Sequence, residues 1–283
     1  MQDGISKTGV VNKRIVRILD IMAVHKKLKV TLLADMLGVS TVTVRRDLEN
    51  LEQKGIIQHI HGYACLDGDN DAGKRLAFSY QIKRKIAKAA AATVGEGETI
   101  MIESGSCCAL FAEELALSKK NVTIITNSIF IMNYLCRLSD IKIILLGGYY
   151  QPDSQVLIGP MTAKCGDAFF SENYFLGADG FLPGYGFTGR DHLRVETASK
   201  LAERAKNVYI LTEADKFNRR GSCNLIQFNK IAGVFTDEKI SKEAEEVLLK
   251  NNVCLHKVPA DEALFSKRNF SEQQFRKLGS KVG

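Results

Sequence analysis

The stretch S-T-V-T-V-R-R-D-L-E-N-L-E at residues 40–52 constrains this chain more than any other, because its residue order fits a capped helix with two different faces. Ser40, just after Gly38-Val39, carries a short side-chain oxygen that can accept from the free N–H groups of a first helical turn. Val44, Leu48 and Leu51 recur at helical spacing and form a stripe to be buried. The other face opens with Thr41, Thr43, Arg45 and Arg46, hydroxyls and forked guanidiniums suited to phosphate oxygens and to the O6 and N7 edge of guanine. A helix that buries aliphatics on one side and presents two arginines in its N-terminal half matches a DNA major groove. Taken alone, Arg45-Arg46-Asp47 would also fit a solvated face with an internal ion pair. Capping, periodicity and turn chemistry, however, agree over about fifty residues.

The neighbouring residues complete a winged helix-turn-helix. Apolar residues at helical spacing within 13–25 (Ile15, Ile18, Leu19, Met22) and 31–37 (Leu32, Leu33, Met36, Leu37) predict two preceding helices. Gly38 permits the left-handed backbone of a tight turn between helices. Gly55 ends the reading helix, and 56–60 predicts a strand that turns at His61-Gly62-Tyr63 and returns through 64–66. Residues 1–66 carry ten lysines and arginines against six acidic residues, so most of the net charge of +7 lies in the first quarter of the chain. Such a bias permits a polyanionic partner without requiring one.

Ser40, Thr43, Val44, Arg45, Arg46, Asp47, Leu48 and Leu51, with Arg14 upstream and Gly55 and His61-Gly62 downstream, resemble the DNA-binding signature of the DeoR-type bacterial repressors of sugar metabolism. The resemblance implies a double-stranded operator as partner, contacted through Ser40, Thr41, Thr43, Arg45, Arg46 and His61. His59 stands where these regulators usually carry Arg, and Tyr63 where they carry a second Gly, so the contact made by the wing is expected to differ from theirs.

A chain of 283 residues exceeds one small DNA-binding module, so a second domain with its own core is expected. Residues 67–74 contain no large apolar side chain and mark a linker. The expected organisation is a reading domain at 1–66, a linker at 67–75, a sensor domain at 76–260 and an unassigned polar tail at 261–283. No apolar run is long enough to span a bilayer and the N-terminus lacks the hydrophobic region of a secretory signal, so a cytoplasmic protein with no membrane partner is expected. The seven cysteines are scattered without a C-x-x-C pair, and the five histidines lack metal-ligand spacing. Reduced thiols, no metal and no cofactor are expected.

Beyond the linker, short apolar runs at 99–102, 122–126, 141–146, 174–176, 208–211, 231–235 and 253–258 read as strands. Helical segments at 82–92, 108–117, 129–138, 195–205 and 242–250 alternate with them. That alternation predicts an α/β fold with a mainly parallel sheet covered on both faces. Ligands in such sheets bind outside the carboxyl ends of the strands. After the first strand comes Glu103-Ser104-Gly105-Ser106-Cys107-Cys108, leading into a helix; alone, it fits a phosphate cradle and an ordinary capped turn equally well. Other strand ends carry Asn127, Gly147-Gly148 and Asp179, followed by Glu196 with Lys200 four residues apart on a helix, and by Lys216. Each alone fits a surface ion pair or a simple turn. In this order they resemble the sensor domain of the same DeoR-type regulators, which is similar in fold to ribose-5-phosphate isomerases.

The resemblance implies a phosphorylated sugar effector held by Ser104, Gly105 and Ser106 at its phosphate. It implies sugar contacts through Asn127, Asp179, Glu196 and Lys200, with Gly147 lining the site and Lys216 countering the phosphate charge. Glu103 replaces the usual Asp and Cys107 the usual Thr, and a thiol is a weaker donor than a hydroxyl. Two functions fit. One is a repressor of a sugar-utilisation operon, with no catalytic residues. The other is a sugar-phosphate isomerase with an appended reading domain, in which Asp179 or Glu196 is the base and Lys200 or Lys216 stabilises an enediolate. The regulator is favoured because binding without turnover needs only part of that constellation and because an enzyme has no use for an intact reading helix. One recognition helix covers few base pairs, so a homodimer or higher homo-oligomer is expected.

Overall fold

The computed structural model describes residues 13–66, 71–136, 138 and 141–260. It begins with α1 (Lys13–His25), β1 (Lys27–Lys29), α2 (Val30–Leu37), α3 (Thr41–Gln53), β2 (Gln58–Ile60) and β3 (Tyr63–Cys65). Ser40 caps α3, its Oγ accepting from the Thr43 N–H at 3.2 Å. At the other end Gly55 takes φ +67°, its N–H donating to Glu52 O (2.8 Å) and that of Ile56 to Leu51 O (2.9 Å), the paired bonds of a left-handed C-cap. Val44, Leu48 and Leu51 are buried on α3, and so is Asp47. Asp47 grips the Arg14 guanidinium of α1 with both oxygens, one at 3.0 Å, and the bond raises the Arg14 pKa. The carboxylate beside Arg45 and Arg46 thus joins two helices instead of neutralising the exposed face.

The small sheet has the order β1–β3–β2 and is antiparallel throughout. β1, a Lys-Leu-Lys tripeptide, is too short to show alternation and has no counterpart in the sequence reading. His61 (φ +47°) and Gly62 (φ +81°) form a two-residue turn between β2 and β3 with positive φ at both positions, the twist that suits a tight hairpin. The wing strand is shorter than 56–60, because the buried side chains of Ile56 and Ile57 enter the core before the ladder begins.

Of the segment expected as linker, 67–70 lie outside the described residues and 71–75 fall within a helix, α4 (Asp71–Ala77). Gly73 lets that helix lie against the chain just past α3: a Cβ there would sit 2.3 Å from Gly55 O. Gly73→Ala is therefore expected to destabilise the protein by about 1–3 kcal/mol through backbone overpacking, read as a lowered urea midpoint. An unchanged midpoint would show that α4 is not seated there.

The second unit follows with α5 (Tyr80–Ala91), β4 (Thr99–Ile102), α6 (Ser106–Ser118), β5 (Thr123–Thr126), α7 (Ile129–Leu135) and β6 (Lys142–Leu145). Next come β7 (Tyr149–Gln151), β8 (Val156–Ile158), α8 (Pro160–Gly166), β9 (Ser171–Leu176), β10 (Gly180–Leu182), β11 (Gly186–Gly189) and α9 (His192–Ala202). The unit ends with β12 (Ala205–Leu211), β13 (Cys223–Gln227), β14 (Ile231–Asp237), α10 (Lys242–Lys250) and β15 (Cys254–Val258). Seven strands form one parallel sheet in the order β15–β14–β12–β9–β4–β5–β6. A β7–β8 hairpin and a three-stranded antiparallel sheet, β10–β11–β13, flank it; their strands of three to five residues carry little periodicity to read. The polar tail at 261–283 lies outside the described residues.

Alternate strand residues feed two cores, one on each face of the large sheet. Ile100, Ile124 and Phe175 join the first, while Met101, Ile125, Tyr174 and Leu176 join the second. The first core continues without a break through Leu76, Ala77 and Tyr80 into Leu19, Met22 and Leu48 of the reading unit. The two units therefore share buried apolar surface.

Candidate DNA-reading face and effector cleft

On the open side of α3, Arg45 and Arg46 are exposed, with Thr41 and Thr43 half-buried beside them. The Ser40 hydroxyl both caps the helix and lies 2.9 Å from Thr43 Oγ1. His61 stands exposed at the tip of the wing. Tyr63, in the position of a usual glycine, lies under the Lys27 ammonium of β1, 5.0 Å from its ring centre, and so serves the small sheet. The His59 N–H donates to Glu52 Oε1 at 2.8 Å and ties the wing to the end of α3. One surface residue was missed by sequence reading: Val42, 72% exposed on the first turn of α3, an apolar group suited to a thymine methyl. Its signal was a β-branched residue lying off the buried stripe of 44, 48 and 51.

In the large sheet the chain proceeds from β4 towards β6 on one side, while β9, β12, β14 and β15 lie on the other. The loops leaving the carboxyl ends of β4 and β9 diverge at that switch, opening a crevice. It is a cleft of about 650 Å³, open mouth included, lined by 103–107 after β4, 177–179 after β9 and Thr212, Glu213 and Lys216 after β12. Arg194 of α9 and Arg75 of α4 complete it. Gly105, with φ +103° and ψ 163°, opens α6 in a conformation that only glycine adopts freely, and no side chain caps that helix. Ser106 and Cys107, at the start of α6, form part of the cleft wall, so its uncapped first turn favours an anion there.

Arg75, Arg194 and Lys216 bring three cations to the cleft from separate elements. The Nη2 of Arg194 lies 3.3 Å from Ser104 Oγ and 3.8 Å from Glu103, while its buried Nε has no partner among the described residues. The carboxylates have partners of their own. Asp179 accepts from the Arg190 N–H (3.1 Å), Glu103 from Ser104 Oγ (2.5 Å), and Asp191 from the Arg194 N–H and the Gln151 amide, both at 2.8 Å. Burial alone would raise the Asp191 pKa, but these bonds outweigh it and lower it. Burial likewise opposes the charge of Glu213, yet Lys83, 3.3 Å away, and Lys216 hold it below the ordinary carboxylate value. Cys107 is turned toward Glu213 (Sγ to Oε2, 3.6 Å), and burial first, then that charge, push its thiol well up. It is thus a neutral donor to a protein carboxylate.

A lowered Glu213 pKa means stability that is full above the unfolded carboxylate value and lost as pH falls through the folded one. Glu213→Gln is therefore expected to reduce the loss of thermal stability as pH falls below about 4.3, the ordinary carboxylate value. An acid limb identical to the parent's would show that the pair contributes nothing.

Of the effector residues expected from sequence, Ser104, Gly105, Ser106, Asp179 and Lys216 line this cleft; Asn127, Gly147, Glu196 and Lys200 do not. Buried Asn127 donates from Nδ2 to Leu157 O at 2.8 Å and accepts the Leu157 N–H at its own carbonyl, joining β5 to β8. Gly147 lies beside Cys165, and Gly148 against Thr162, whose Oγ1 would meet an added Cβ at 1.8 Å. On α9, Arg194, Val195 and Ala198 face the cleft, whereas Glu196 and Lys200 are exposed and Lys200 pairs with Glu203 at 3.1 Å. Sequence reading thus singled out α9 through Glu196 and Lys200, which lie off the cleft, and did not single out Arg194, Glu213 and Arg75, which line it. Among the described residues there is no cluster of three or more metal-ligating side chains, and no helix long and apolar enough to cross a membrane.

The DeoR C-terminal sensor domain family matches residues 79–238, and the DeoR-like helix-turn-helix domain family matches 14–68. The chain belongs to the DeoR family. It is a DNA-binding transcriptional regulator. The regulator is similar to FruR, an HTH-type transcriptional regulator of Bacillus subtilis, at 29% identity over 238 residues, covering 83% of this chain and 92% of that one. It is also similar to the glycerol-3-phosphate regulon repressor of Escherichia coli K12, at 27% identity over 226 residues, covering 79% of this chain and 89% of that one. Among solved structures it is similar to ribose-5-phosphate isomerase A of Neisseria gonorrhoeae, with a TM-score of 0.37 and 20% identity over 48% of this chain and 53% of that one. That likeness is too loose to transfer any activity.

Proposed function

We propose that this DeoR-family regulator represses a sugar-utilisation operon, and that a phosphorylated sugar or related metabolite in the β4–β9 cleft sets its affinity for the operator. The observation that carries this reading is the convergence, at one switch point, of the uncapped start of α6, Gly105 and three cations from separate elements. The phosphate would sit at Ser104, Gly105 and Ser106, with Lys216 and Arg194 countering its charge and Asp179 facing the sugar hydroxyls. The relatives named as an HTH-type transcriptional regulator and a glycerol-3-phosphate regulon repressor support a regulator of this class. Binding rather than catalysis is favoured because Glu196 and Lys200 lie outside the cleft and the carboxylates inside it already accept hydrogen bonds. No interconversion of pentose or hexose phosphates at enzymatic rates is expected.

A thermal-shift screen of phosphorylated sugars identifies the effector, since a ligand of the folded state raises apparent stability by mass action. Operator titrations with and without that ligand should then show Ser104→Ala and Lys216→Ala losing most of the effector response while keeping DNA affinity in its absence. The coupling is reciprocal, so the operator must change effector affinity by the same factor. An unchanged response in both variants would remove the cleft from the reading.

Self-association is part of the proposal. Tyr149 (71% exposed), Met161 (67%) and Leu193 (44%) are apolar surface on β7, α8 and α9, elements joined by bonds from Gln151 to Asp191 and from Gly159 to Thr197. Light scattering is expected to find a dimer or larger species at micromolar concentration and a smaller one for Met161→Glu. A monomeric parent, with and without DNA, would contradict it.

A further inference from the structure

We infer that Arg75, in the helix between the two family domains, contacts the anionic group of the bound effector and transmits its presence to the DNA-reading unit. The inference rests on the cleft being the effector site. Arg75 lies outside both family matches, which end at 68 and resume at 79, yet it lines the cleft. The cleft is therefore built in part from the element that leads to the reading unit.

The attachment of that element is specific. Buried Lys83 of α5 donates to the carbonyl oxygens of Arg75 and Phe78, the latter at 2.6 Å, and pairs with Glu213 on the cleft wall at 3.3 Å. One ammonium thus fixes the end of α4 against the strand end that supplies Glu213 and Lys216. On its other side α4 presents Gly73 to the backbone of Gly55 and Ile56, the residues that terminate α3. A single residue of helix, Lys74, separates Arg75 from the backbone contact of Gly73 with the end of the reading helix, and Leu76, on the α5 side, is fully buried in the shared core. Close-packed contacts of this kind transmit small displacements instead of absorbing them.

Chemistry favours an anion as the trigger. A guanidinium meets phosphate oxygens through two parallel N–H bonds, a geometry that orders the side chain and the backbone carrying it. A ligand that draws Arg75 toward the start of α6 interacts differently with different placements of α4, and only a differential interaction can shift the equilibrium of the reading unit. A ligand held solely by Ser104–Ser106 and Lys216 would leave α4 untouched.

The test is hydrogen exchange of the full chain, with millimolar inorganic phosphate as probe against sodium chloride of equal ionic strength. In the parent, phosphate is expected to slow exchange both in 103–108 and in 71–77. In Arg75→Gln, phosphate should bind about tenfold more weakly. At phosphate concentrations that saturate the variant it should still protect 103–108 and no longer protect 71–77. Arg75→Lys, which keeps the charge without the fork, should fall between. Protection of 103–108 in the parent without any at 71–77, or equal protection of 71–77 in Arg75→Gln, overturns the role of Arg75 and leaves the cleft standing. No protection of 103–108 in the parent overturns the cleft itself, and this inference with it. A melting temperature of Arg75→Gln close to the parent's, measured without phosphate, shows that the variant is folded.

Discussion

Arg45→Ala combined with Arg46→Ala is expected to weaken operator binding by on the order of 10²- to 10⁴-fold, because each arginine that reads a guanine carries roughly 1–3 kcal/mol. Both side chains are exposed on α3, off the stripe formed by Val44, Leu48 and Leu51, so the double variant should keep the parent's circular dichroism and urea midpoint. The single variants separate two kinds of contact. Loss of a base contact relaxes preference at one base pair, whereas loss of a phosphate contact weakens all sequences alike and lowers the slope of affinity against salt. Val42→Ala should affect only positions occupied by thymine. A folded double variant that bound operator as tightly as the parent would move the reading surface elsewhere.

Glu113→Ala is expected to cost about 3–5 kcal/mol of stability, the usual consequence of leaving a buried charge without its partner. Glu113 is 2% exposed on α6 and accepts from Lys54 (2.5 Å), Tyr134 (3.2 Å) and the largely buried guanidinium of Arg84. Arg84 also pairs with Glu114 at 2.6 Å, which alone cannot satisfy it and Lys54 together. Lys54 is the C-cap of α3 and lies over the Tyr134 ring, 5.1 Å from its centre, so this carboxylate also pins the reading unit to the sensor. Urea denaturation should show a lowered midpoint, with much of the loss recovered when Arg84→Met removes the stranded cation as well. A loss below about 1 kcal/mol would show that water or Glu114 takes over, and that the cluster does not hold the units together.

The reading unit was legible because its determinants are local. Ser40 caps the turn that it begins, Gly38 and Gly55 supply left-handed residues where helices end, and His61-Gly62 needs only itself to turn the wing. The strands of the large sheet were legible for a related reason: residues buried on both faces leave continuous apolar runs, and the alternation with helices implies parallel order. Glu103 to Cys107 could be placed at a strand end, and so at the cleft, from chain order alone.

Tertiary structure decided what depends on pairing between distant segments. Asp47 answers Arg14 rather than its neighbours Arg45 and Arg46, across thirty-three residues of chain. On α9, periodicity could not say which of two polar faces meets the cleft, because charged residues occur on both; packing against β11 and β13 turned Arg194 inward and Glu196 outward. Asn127, singled out in sequence as a ligand group, lies off the cleft and joins β5 to β8, because β8 folds back onto it. The polar composition of 71–75 suggested a linker, whereas Gly73 docking on Gly55 and the burial of Leu76 make it a packed helix with Arg75 at the cleft. Residue order thus determined which segments are helix, strand and cap, since those states are selected by neighbours within a turn or two. Which side chains converge on one cleft was settled only when β9 paired with β4, because that pairing brings together residues that no local signal connects.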